Sequence, residues 1–200
     1  MRKNISPISV VSISMIISLS YAIIRYNIFK GVPWVDLPLY VVNKGVALSS
    51  IILFSLYRII SLKSKSTDSK ILKVYAMILG LLHLLISLII LSPSYFPKFY
   101  TEFKLNIIGE LSLFFGVIAF AIILLISSND LMKDVKDSGK INPNIGKYFL
   151  VFIAAHLFVM GYKGWLDPSS WPGWMPPITL LAFIIAITPM LYKVILKKNN

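Results

Sequence analysis

The sequence predicts an all-α polytopic membrane protein, a single six-transmembrane-helix bundle over residues 1–200. Two observations carry that expectation. The chain is 57% hydrophobic with a mean hydropathy of +0.80, more apolar surface than one soluble core buries. Charged residues make up only 14% and cluster between six apolar runs, each long enough for a ~30 Å hydrocarbon layer.

The first span is expected over 5–29, after Met1-Arg2-Lys3-Asn4. It is too long for a signal-peptide core and lacks a small-residue cleavage site, so it reads as a retained helix. Its serines, Ser14 and Ser18 among them, are tolerable in lipid if they bond helix carbonyls or face neighbouring helices. The stretch KGVPWVDLP has the prolines and tryptophan of an interfacial turn. Span two follows at 39–62, then a short polar loop, KSKSTDSK, and span three at 71–91. The aromatic, proline-bearing connection SPSYFPKFYTEFK reads as a segment at headgroup depth. Span four, 107–127, carries Gly109, Ser112, Gly116 and Ala119 at spacings that let another helix approach closely. The longest polar loop, Asn129 to Gly146, precedes span five at 147–165, and a tryptophan-rich turn leads to span six at 178–196.

Six spans put both termini on one side. Fourteen of the twenty Lys and Arg fall at the termini and in the second and fourth loops; Arg25, Lys30, Lys44, Lys98, Lys104 and Lys163 fall on the other side. The asymmetry predicts an integral protein of the cell membrane with cytoplasmic termini. It also accounts for the +12 net charge without a nucleic-acid partner, for which no binding module is visible. With no cysteine, disulfides, thiolate metal sites and covalent haem attachment are excluded. No Gly-rich phosphate motif and no extramembrane segment large enough for a flavin or nicotinamide domain is present.

The only two histidines, His83 and His156, lie inside the third and fifth spans, where a polar side chain is costly without a partner. Those helices run in the same direction. His83 lies ten residues after Lys73 and His156 nine after Lys147, roughly 15 and 13 Å along their helices and near mid-bilayer. Imidazoles at one depth are placed to bind opposite faces of one porphyrin, so a single noncovalent haem b with His83 and His156 as iron ligands is the expected cofactor. Gly80, Ala76 and Ser87 give the histidine face of span three room for a flat ligand. Lys163 returns to the face of His156 about 10 Å further out and suits a haem propionate. Lys44 and Arg25, at the same outer level as Glu110, are further candidate cations for the cofactor or its partners. Each feature also has a plain reading: a membrane histidine as an interhelical hydrogen-bonder, Lys163 as a snorkelling lysine, the tryptophans as an interfacial belt, and the Gly109 stripe as packing. No hydrolytic triad, carboxylate pair or zinc constellation is present.

Six spans with histidines on the third and fifth resemble the ferric reductase-like transmembrane domain, a family that includes the haem-binding membrane subunit of methionine sulfoxide reductase. The similarity runs from YVVNKGVALSS at Tyr40 through LGLLHLLISL to HLFVMGYKGWLDPSSW. It implies that His83 and His156 are axial haem ligands in an oxidoreductase subunit that needs a partner. Electrons would come from membrane quinol or a flavoprotein and leave to an extracytoplasmic acceptor near the turn from Gly164 to Trp174. Many members hold two stacked haems with paired histidines on each helix. Here positions near Ser69, Pro97, Asn142 and Ser169 offer no second pair, so one haem is implied. The alternative is a haem-free helical carrier or an assembly and scaffold subunit.

Overall fold

The computed structural model describes residues 6–63, 67–131 and 145–198. Arg2, Lys3, Lys65, Lys133, Lys136, Lys140 and Asn142, with most of the predicted fourth loop, lie outside the described residues. Six helices form the molecule: α1 (Pro7–Ile23), α2 (Val42–Lys63), α3 (Thr67–Ile89), α4 (Ile107–Leu131), α5 (Ile145–Trp165) and α6 (Ile178–Lys198). Counted with the turns that continue α1 and lead into α2 and α6, the six helical segments Pro7–Phe29, Trp34–Leu62, Asp68–Ile89, Ile107–Ile126, Ile145–Trp165 and Pro172–Ile195 are each long and apolar enough to cross a membrane, as the composition predicts. Ser6 caps α1, its hydroxyl accepting the Ser9 amide at 3.1 Å with Pro7 at the first helical position.

Serines and glycines on α2 explain why it is the central helix. Ser49 meets Ser14 of α1 at 2.9 Å, Ser50 donates to the Ala76 carbonyl of α3 at 2.7 Å, and Ser55 donates to the Ile185 carbonyl of α6 at 3.0 Å. Each satisfies a hydroxyl that would otherwise be buried unpaired in an apolar interface. The last also repairs α6, because Pro189 has no amide to give the carbonyl four residues before it, and that carbonyl is Ile185. Gly45 lets α1 press close: a Cβ there would lie 2.7 Å from Leu19 Cδ2. Phe54, Leu53 and Val46 of α2 are fully buried, with Phe149 of α5 tilted against Phe54 at 4.5 Å between ring centroids.

Helices α4 and α5 pack extensively along the predicted small-residue stripe, with Ser112 and Ala119 buried. Helix α5 packs on α6, and α6 on α2. By contrast, α3 touches α4 only marginally. The ring of helices from α2 through α3, α4, α5 and α6 is therefore loose at one seam.

The first helix reaches the outer bound expected of span one, and the connections are more regular than the sequence indicates. The first helix continues beyond α1 as a wider π turn over Ile24–Phe29, and a second π turn, Leu37–Val41, leads into α2. The aromatic connection after α3 closes in a two-residue ladder, β1 (Tyr100–Thr101) with antiparallel β2 (Lys104–Leu105). Glu102 and Phe103 turn it in the left-handed region, at φ 50° and 63°.

Candidate functional site

The two histidines line one cavity of about 220 Å³ enclosed by α2 to α6. Each ring is held by Nδ1. His83 Nδ1 lies 2.8 Å from Asn43 Oδ1 of α2, and Nδ2 of the same amide donates to Ser87 Oγ at 2.9 Å. With the amide in this orientation its oxygen accepts, and Nδ1 of His83 carries the proton. His156 Nδ1 lies 2.7 Å from the backbone carbonyl of Ser112 on α4, which demands the same tautomer. Gly116, one turn later on α4, leaves the space for this ring: a Cβ there would fall 3.2 Å from His156 Nδ1. Packing along the stripe and accommodation of the imidazole are thus one feature.

With Nδ1 protonated and engaged, the lone pair resides on Nε2 at the far side of each ring. No protein atom among the described residues hydrogen-bonds either Nε2. This is the arrangement that ligand histidines adopt, with the second ring nitrogen orienting the imidazole and raising its basicity. Among the described residues there is no group of three or more His, Cys, Asp or Glu able to hold a metal ion. Two imidazoles and no third donor suit a porphyrin iron, whose macrocycle supplies the remaining ligands, better than a bare cation. The donor set therefore fits the expected group.

The cavity lies toward the end of the bundle that holds the end of α3 and the starts of α2 and α4. Helix α3 starts at Thr67, so His83 is six residues from the end of its helix at Ile89, about 9 Å. His156 is nine residues before Trp165, about 14 Å, and Ser112 five after Ile107. The polar anchors Asn43 and Ser87 belong to the same end.

Of the candidate cations, only Lys44 lines the cavity. Its Nζ sits 4.0 Å from the Tyr40 ring centroid, 5.0 Å from Tyr26 and 5.6 Å from Phe96, an aromatic cage that replaces part of its hydration. Arg25 is buried on the π turn, donates to the Met175 carbonyl and does not line the cavity. Arg25 and Lys30 both flank the Tyr26 ring at 5.7 Å, so three cations surround one tyrosine. Burial, reinforced by Lys98 and Arg25, holds the Lys30 ammonium below its usual pKa. Lys163 is exposed and does not line the cavity, so the ammonium placed to face a ligand there is Lys44. Glu110 is exposed and also lies off the cavity. Trp171 and Trp165 are spent on structure, their indoles donating to the Gly164 carbonyl at 2.8 Å and Thr179 Oγ1 at 3.0 Å.

Asn43, Ser87 and Ser112 are the site residues that spacing alone does not single out as ligand supports. Asn43 carries the one usable signal, an amide beside Lys44 in an apolar run. No protein family model matches the chain, and no curated protein is significantly similar to it.

Proposed function

We propose that this chain is a b-type haem-binding electron-transfer subunit of the cell membrane, holding one noncovalent haem between His83 and His156. One observation carries the reading: both of its histidines fix Nδ1 to a carbonyl oxygen and leave Nε2 free on the same apolar cavity. A bis-imidazole haem, when bound, stores one electron by cycling its iron between ferric and ferrous states and has no open coordination position. The chain's residues do the rest. Asn43 and the Ser112 carbonyl hold the imidazoles in the ligating tautomer, the apolar walls exclude water, and Lys44 offers a cation to a carboxylate of the bound group.

The loose α3–α4 seam supports a lipid-soluble donor. Leu88 and Val117, on the two helices of that seam, both line the cavity, which gives a quinol an apolar approach from the bilayer. A flavoprotein partner is the other source of electrons, and the acceptor is extracytoplasmic on the orientation set by the charge asymmetry.

The test is an absorption spectrum of the purified chain, oxidised and reduced. A Soret band with low-spin bis-histidine features is expected, and His83→Ala and His156→Ala should each remove it, the double variant being little worse because the ligands act as one unit. The Nδ1 bonds also tie α3 to α2 and α5 to α4, which favours a second reading, a haem-free carrier or scaffold with histidines as helix links. Colourless protein from haem-replete cells, or normal haem content in either variant, would select that reading.

A further inference from the structure

A second cavity, about 250 Å³, opens at the opposite end of the bundle between α2, α5 and α6. Three cations converge on it, Arg58, Lys147 and Lys193, and among the described residues its lining contains no carboxylate. Among the described residues no ion pair engages any of the three. Leu62, Leu150 and Met190 supply apolar wall beside the charges.

The position of Arg58 makes the cluster more costly than a scatter of surface lysines. A Cβ on Gly146 would lie 3.0 Å from Arg58 Nη1 and 3.3 Å from Cζ, so the guanidinium rests on the first turn of α5 and a glycine is what lets it do so. That is the positive end of the α5 dipole, the wrong end for a cation, and Lys147 adds a second charge there. An anion seated between the three groups adds an attraction to each of them and to the helix N-terminus, which offsets these repulsions.

We propose that this cavity is a binding site for the phosphate headgroup of an anionic phospholipid. Arg58 is five residues before the end of α2, Lys147 two after the start of α5 and Lys193 five before the end of α6, about 3 to 8 Å from the helix ends and at headgroup depth. The guanidinium and the two ammonium groups take the phosphate oxygens. The leucines and methionine face the glycerol and the upper acyl chain, which a soluble anion lacks. Basic pockets between membrane helices recognise such lipids by this combination of charge and apolar wall. The inference is independent of the haem cavity, which shares none of these residues.

Native mass spectrometry of the full chain in detergent, titrated separately with phosphatidylglycerol, phosphatidylcholine and inorganic phosphate, tests it. Wild type should retain one phosphatidylglycerol through washing and no phosphatidylcholine. Lys147→Gln and Lys193→Gln, both at exposed positions, should each weaken retention about five-fold, and the double variant about twenty-five-fold. Arg58→Lys, which keeps the charge but not the fork, should weaken it less than Arg58→Gln. Equal retention of the two lipids, or unchanged binding by the folded double variant, overturns the proposal. So does inorganic phosphate displacing the lipid at millimolar concentration, which would mark a soluble-anion site instead.

Discussion

Asn43 is the residue on which the chemistry of His83 most depends. Its amide is clamped from one side by Ser87 and presents only oxygen to the imidazole, so replacing it removes both the orientation and the tautomer preference. Asn43→Leu should therefore reduce haem retention about 10- to 100-fold while leaving helix content intact, measured by competition with apomyoglobin. The matching change for His156 is steric, because its acceptor is a backbone carbonyl that no side-chain replacement removes. Gly116→Val puts bulk beside His156 Nδ1, where even a Cβ would come within 3.2 Å, and should displace the ring and broaden or abolish the low-spin spectrum. Lys44 acts through charge. If its ammonium faces the bound group, Lys44→Met should lower the midpoint potential in a redox titration, since a nearby cation favours the reduced, less positive iron. Lys163→Ala, at an exposed position off the cavity, should leave the potential unchanged.

At the scale of elements, the turn joining α5 to α6 is built from local hydrogen bonds rather than burial. Asp167 accepts from the Ser169 hydroxyl, and that bond first of all holds its carboxyl below the usual range. A carboxylate with a depressed folded pKa contributes stability that is fully present above its unfolded value near 4 and is lost as pH falls through the lower folded value. Acidification should accordingly loosen this turn, seen as a change in tryptophan emission, and Asp167→Asn should flatten that transition. The helices themselves were legible in the chain because length and apolarity decide them: the spans at 107–127 and 147–165 come within four residues of α4 and α5 at every end. The π turns were not, because a widened turn leaves the apolar pattern unbroken and depends on how Arg25, Tyr26 and Asn27 are buried by other segments. The site was legible in its two histidines, by count and by their place in apolar runs. Its supports were not, since Asn43 and Ser112 reach the rings from different helices and Ser112 does so with a backbone atom. Lys163 shares a nominal face with His156, but periodicity could not tell that this position is exposed. The start of α3 at Thr67, ahead of Lys73, was likewise not legible, because the polar run KSKSTDSK reads as loop.

For the whole molecule, the contacts establish which helix ends belong together. The start of α2 meets the end of α3 through Asn43 and His83, the start of α4 meets α5 through Ser112 and His156, and the end of α1 meets the segment before α6 through Tyr21 and the Pro176 carbonyl at 2.5 Å. Successive helices therefore alternate in direction, with the histidine-lined cavity and Lys44 toward one end and the cationic cavity of Arg58, Lys147 and Lys193 at the other. By the positive-inside rule the second end is the one expected in the cytoplasm. Reporter fusions after Lys198 and within the Ser94 to Phe103 connection should thus give cytoplasmic and extracytoplasmic signals respectively. The outcome fixes which side of the membrane the histidines face more closely, since they lie about 9 and 14 Å from the helix ends that carry the aromatic connections. His83 is the nearer of the two to that end, and His156 sits close to the middle of α5. A quinol analogue should then reduce the oxidised haem in purified protein, and Val117→Trp, which narrows the α3–α4 seam without touching either histidine's hydrogen bonds, should slow that reduction several-fold while reduction by dithionite stays fast. Equal slowing of both reductants would mean a damaged cavity rather than a narrowed approach, and failure of every quinol to reduce a dithionite-reducible haem would transfer the donor's role to a separate flavoprotein.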